Sequence, residues 1–315
     1  MADQLWLSFA FLTASVYATL ALLDKVVLEQ ETSSPFVTAA QSDIPKFAIF
    51  VLVGFVNADI TPIRNGFTPS VLAPILLAMG VGLINVCGTL IYYRGAEVTD
   101  ISRFIPLINT DIFFVLLLGG VFLGESFAPP VYMGVGLIFA GTMLISVEDI
   151  TADIQFVSRR ALFFGLSFAA VLALVSLFLK ILIPLVGLYE ILFWMGAGGI
   201  GTIGMIGVFK WITGNFQDGV KDTSILSPGS ISLGIGGVVT AIAYFTLVFA
   251  LESGPVSLVI AITNLEVLLV FFGVIVLSKY TPEVLQESLS KRTLIQKFTA
   301  STLMLGGVAI IQLFA

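Results

Sequence analysis

"LINTDIFF" (107–114) and "ITNLEVLL" (262–269) lie 155 residues apart and share one plan: an Asn, a single spacer, an acid, then an apolar run. An ionised carboxylate in such a run is costly in a bilayer. Insertion scales charge roughly +2.5 to +3.5 kcal/mol for Asp at a helix centre. Asp111 and Glu266 therefore call for a membrane fold in which two acids are worth keeping at matching positions.

Composition supports that fold class. Of the 315 residues, 58% are hydrophobic and 11% charged. Soluble domains carry roughly 25% charged residues, so this chain cannot cover itself with a polar surface. It reads as an all-α polytopic membrane protein in a lipid bilayer. The formal net charge of −6 resides mostly in short connections and points to no particular partner. No basic cluster suits nucleic acid. The sequence has no His, which excludes His-based metal and proton-relay chemistry, and neither a metal nor a cofactor is expected. Cys87 lies inside an apolar run and has no second Cys to pair with. The apolar run from Leu5 has no basic residue before it and no small-residue cleavage site after it. It reads as a first membrane span rather than a secretory signal.

A membrane helix needs about 20 apolar residues. Ten segments qualify: about 5–27, 36–56, 71–93, 98–118, 130–147, 161–183, 187–209, 231–251, 256–277 and 299–315. Polar and Pro-rich stretches such as "EQETSSP" and "GESFAPP" separate them. The second is the least regular, since Asp43, Pro45 and Lys46 fall inside it. Sliding the chain by 155 residues lays spans one to five over six to ten. Lys25 then meets Lys180, Glu97 meets Glu252, Ser102 meets Ser257, Asn109 meets Asn264, and Asp111 meets Glu266. "LIFAGTMLI" (137–145) matches "LMLGGVAII" (303–311) at a shift of 166, which assigns about 11 extra residues to the polar stretch 279–297. Because five is odd, the two copies start on opposite sides of the membrane. The expected plan is two inverted five-helix repeats, 1–150 and 156–315, with a substrate site near the midplane where they face each other.

"YYRGAEVTDISRFIPLINTDIFFVLLLGGVFLGES" (92–126) followed by "GVGLIFAGTMLI" (134–145) resembles the fourth and fifth spans of EamA-like proteins of the drug/metabolite transporter superfamily. The matching features are Pro106, Gly124–Glu125 and the glycines Gly134, Gly136 and Gly141. "DKVVLEQETSSPFVTAAQS" (24–42) also resembles the first connection of the related nucleotide-sugar and triose-phosphate carriers. The second half departs from the pattern, with Ala261 for the proline and Ser278–Lys279 for the Gly-Glu. The resemblance implies secondary transport by alternating access, with no ATP site. Substrates of that superfamily range from amino acids and sugars to nucleotide-sugars and drugs.

Intramembrane polar groups usually face the bundle interior, and an ionisable one is a functional candidate by default. Asp111 and Glu266 would carry a proton or counter a cationic substrate group; the alternative is a structural ion pair with Arg103 or Lys46. Asn109 and Asn264 precede the acids by two residues, about 200° around a regular helix. Each Asn then shares a cavity with its acid only if the helix is irregular there; an interhelical hydrogen bond is the other option. Arg103 lies roughly 12 Å and about 80° from Asp111 on one helix, suited to guarding an entrance or to pairing with Asp100. Asp43 and Lys46, three apart, form a local ion pair or, as substrate ligands, suit a zwitterion. Lys25 and Lys180 near helix ends read as snorkelling residues kept on the list by their repeated position. "GAGGIGTIGMIG" (196–207) spaces Gly198, Gly201, Gly204 and Gly207 by three, which suggests one bare packing face.

An even span count puts both termini on one side. Arg159, Arg160, Lys210, Lys221, Lys279, Lys291, Arg292 and Lys297 lie in the connections opposite, against Arg64 and Lys180 on the terminal side. The positive-inside rule therefore places the termini outside the cytoplasm, whereas the resemblance implies the reverse. The sequence reads as a secondary active transporter in the cell membrane, monomer or homodimer, proton-coupled or an exchanger, for a small polar metabolite. No cluster of nucleophile, base and metal ligands points to an enzyme. A nucleotide-sugar or phosphate-type antiporter, a channel and a non-transporting scaffold are the other readings.

Overall fold

The computed structural model describes residues 5–27, 34–57, 68–98, 104, 107–146, 158–213, 228–278 and 291–314. All regular structure among them is helical. In chain order the helices are α1 (Leu5–Val27), α2 (Pro35–Asn57), α3 (Pro69–Val98), α4 (Asp111–Leu123), α5 (Pro129–Ser146), α6 (Arg159–Val186), α7 (Leu188–Ile212), α8 (Pro228–Ser253), α9 (Val256–Thr263), α10 (Glu266–Ser278) and α11 (Lys291–Phe314). Eight segments are long and apolar enough to cross a membrane, α9 and the first part of α10 counting as one, and two shorter apolar helices start at Asp111 and Pro129. The chain is a multi-pass membrane protein.

Two expected spans are not single regular helices. At 1.5 Å per residue, the 13 residues of α4 cover about 20 Å, short of a hydrocarbon core of about 30 Å. The expected span 98–118 is instead interrupted by a turn at Asn109–Thr110, and α4 starts at Asp111 itself. The expected span 256–277 breaks at Asn264–Leu265 and restarts at Glu266.

Local chemistry sets the other ends. The Ser158 side chain accepts the Ala161 N–H (3.1 Å) and caps α6. Gly124, at φ 67°, closes α4 in the left-handed conformation, and the Glu125 N–H bonds back to the Gly119 carbonyl (3.1 Å). Gly187, at φ 103°, makes the tight joint between α6 and α7.

The surface is apolar and much of the polarity lies inside. Phe55 is 76% exposed and Trp211 72%, whereas Asp43 is 1% and Lys46 3%. That inversion fits a lipid surround, where polar side chains turn inward. Phe47, Phe50, Leu179, Leu182, Ile191, Leu192 and Met195 fill the centre at α2, α6 and α7.

Glycines let the backbones touch there. Gly196 rests on the Phe47 carbonyl and Gly199 on the Phe47 ring, while Gly198 and Gly82 meet the carbonyls of Met79 and Met195. The expected face of glycines spaced by three does not form. A period of 3.6 rotates them apart, and Gly201 and Gly204 have open space beside them. The seam is made by Gly196, Gly198 and Gly199.

The helix contacts come in matched sets. α1 packs on α8 as α6 packs on α3; α2 on α8 as α7 on α3; α1 on α10 as α6 on α4. α2 meets α7 and α5 meets α11. In the last crossing Gly134 lies against the Gly307 carbonyl and Gly141 against the Ala300 carbonyl.

Candidate functional site

The two helix breaks meet in the interior. Asn264, at the end of α9, donates from Nδ2 to Asp111 Oδ1 (3.3 Å) at the start of α4. Asp111 is buried and Glu266 half-buried, close enough for the two carboxylates to repel each other. Tyr17, next to the middle residue of α1, lies within electrostatic reach of both acids and of Tyr244. Asn109 is buried and its Nδ2 has no hydrogen-bond partner among the described residues. A buried donor left unpaired costs stability unless something else satisfies it. The breaks answer the geometric objection raised by a regular helix: at Asn109–Thr110 and Asn264–Leu265 the 200° rule does not hold. Of the two ion-pair partners considered for Asp111, Arg103 lies outside the described residues. Lys46 pairs elsewhere, and the first contact is an Asn from the other half.

Tyr244, within electrostatic reach of Tyr17, belongs to a second polar group. Lys46, the middle residue of α2, donates to Asp43 Oδ1 and to Asn85 Oδ1 (2.7 Å) on α3. Asn85 donates to the Tyr244 hydroxyl on α8, and Thr89 Oγ1 donates to Asp43 Oδ1 (3.3 Å). Lys46 also lies against the rings of Phe47 (4.4 Å) and Tyr244 (5.9 Å). Asp43 Oδ2 is buried and has no partner among the described residues. The sequence reading anticipated the local ion pair. It missed Asn85 and Thr89, although they stand four apart in an apolar span and so share a face.

Lys180 does not snorkel. Its Nζ donates to the carbonyls of Leu251 (2.6 Å) and Gly254 (2.9 Å) at the C-terminal end of α8. From the other side Glu125 takes the N–H groups of Val256 (2.6 Å) and Ser257 (3.1 Å) and the Ser257 hydroxyl (2.6 Å), capping α9. A cation thus sits at one helix's negative end and an anion at the next helix's positive end, pinning the joint between them. In the structure both side chains bond the backbone of this joint. Glu125→Ala is expected to cost about 1 kcal/mol, the usual loss for an N-cap, read as a lower Tm of the detergent-purified protein. Arg103 and the side chain of Lys25 lie outside the described residues.

Residues 4–147 match the model of the EamA-like transporter family. The chain carries an EamA-like transporter unit. The matched segment makes up the first half of the chain, and its Gly124–Glu125 element is the α9 cap just described. A protein of Sinorhizobium sp, described as an uncharacterized transporter in the cobO 3' region, is 29% identical over 148 residues. These make up 46% of this chain and 99% of that protein. A crystal structure described only as that of a protein aligns with a TM-score of 0.71 over 99% of this chain and 98% of its own, at 15% identity. That likeness concerns the fold alone.

Proposed function

We propose that this EamA-like chain is a secondary active transporter of a small polar metabolite, working by alternating access between two inverted five-helix repeats, 1–150 and 156–315. One observation carries the reading: Asn264 of the second half bonds Asp111 of the first, at helix breaks that occupy matching positions in both. Broken helices near mid-depth are where transporters of inverted design hold their substrates. The matched helix contacts and the reciprocal crossing of α5 with α11 support the repeat. Asp111 and Glu266 form the centre, where a proton or a cationic group between them relieves their repulsion. Asn109 supplies a donor with no partner among the described residues, and Tyr17 the wall.

The test is uptake and exchange in proteoliposomes with amino acids, sugars and nucleotide-sugars. A solute inside is expected to accelerate entry of labelled solute outside; conductive flux without that acceleration favours a channel, and no flux of any solute sinks the proposal. The cell membrane is the proposed location. The charge bias puts the termini outside the cytoplasm, so a C-terminal reporter that functions only outside is expected to be active, and a silent one reverses the orientation.

A further inference from the structure

Asp43 and Lys46 are the most deeply buried charged pair among the described residues, and the repeat does not require them. At a shift of 155 their counterparts are Gly198 and Gly201, so the second half builds the same helix position with no charge at all. A buried ion pair is weak evidence for stability, since an apolar replacement of similar volume often serves as well. The network around this pair is also incomplete. Lys46 holds Asp43 Oδ1 and Asn85 Oδ1, Thr89 reaches the same Asp43 oxygen, and among the described residues Asp43 Oδ2 is left without a donor at 1% exposure. Half-satisfied buried networks are costly, which makes the empty acceptor a site in search of a donor.

Charge balance selects the donor. A lone cation on Oδ2 adds a positive charge that nothing in the network offsets. An anion that draws Lys46 away leaves Asp43 unpaired. A hydroxyl fills Oδ2 but makes no use of Lys46. A molecule bearing an ammonium and a carboxylate on neighbouring atoms meets both residues and leaves the sum unchanged. Asn85, itself bonded to Tyr244, then holds Lys46 as its carboxylate partner changes, and the Phe47 and Tyr244 rings keep a favourable face toward the Lys46 ammonium.

We propose that Asp43 and Lys46, supported by Asn85, Thr89 and Tyr244, form a zwitterion-binding site that takes the ammonium–carboxylate head of an α-amino acid. The assignment rests on the transporter reading for its role, but its chemistry is tested by binding alone. Purified full-length protein is titrated with glycine, serine, leucine and phenylalanine. Their amides keep only the cation and their N-acetyl forms only the anion. At least one zwitterion is expected to bind about tenfold or more tightly than both of its relatives.

Single charge removals leave an orphan charge and can fail to fold, so the decisive variant is Asp43→Asn with Lys46→Gln, checked by Tm and gel filtration. In it the zwitterion preference is expected to vanish. A panel in which no zwitterion surpasses its relatives overturns the proposal, as does a folded double variant that keeps the preference. Flux in the same proteoliposomes separates the two ideas. Transport without zwitterion preference removes this site and leaves the transporter, whereas binding with the stated preference but no flux of any solute does the opposite.

Discussion

Asp111→Asn is expected to lower transport about 30-fold or more, with little change in Tm. The magnitude follows from losing one partner of a buried, hydrogen-bonded charge contact, which costs about 2–5 kcal/mol, at about 1.4 kcal/mol per decade. Asn occupies the same volume and keeps an oxygen for the Asn264 amide, so the helix break should survive the change. What is lost is the charge that a proton or a substrate cation neutralises. Glu266→Gln is expected to act in the same direction. Because the two acids feel one another, their effects should not add: the double variant should transport about as poorly as the worse single one. Initial rates in proteoliposomes, normalised to correctly folded protein, decide it. Wild-type rates in either variant would remove that residue from the site.

The acids were legible in the sequence because a charge in an apolar run is costly and this one occurs twice. Their arrangement was not. A regular helix sends Asn109 and Asp111 to opposite sides, and nothing in "INTD" announces the turn that cancels this. The partner of Asp111 comes from 153 residues away, beyond any local pattern. Lys180 shows a similar limit. Its place near a helix end suggested snorkelling, but the carbonyls it satisfies belong to α8 and exist only once the α8–α9 joint has formed. Asn85 was the opposite case, a visible polar residue in an apolar span. Its counterpart in the other half is Thr240, so the repeat does not mark it.

The other large effect expected is structural, from Gly82→Val. A Cβ at Gly82 falls on the Met195 carbonyl and within 2.7 Å of the Gly199 nitrogen. Both are backbone atoms of α7, so no side chain can turn aside to make room. Overpacking of this kind typically costs about 1–3 kcal/mol, and more where neither partner can move. The expected result is a marked fall in Tm and in the yield of monodisperse protein. Gly201→Val, on α7 but facing open space, should stay within about 0.5 kcal/mol of wild type. The comparison separates a glycine needed for contact from one that merely lies in a glycine-rich run. It also bears on function through geometry. Gly82 is three residues before Asn85, and Gly196 and Gly199 rest on Phe47, the neighbour of Lys46. The seam that lets α3 and α2 approach α7 therefore fixes the depth and spacing of the Lys46 network. Forcing it apart should loosen Asn85 from Lys46 before it disturbs the Asp111–Asn264 contact, where no glycine of α7 takes part.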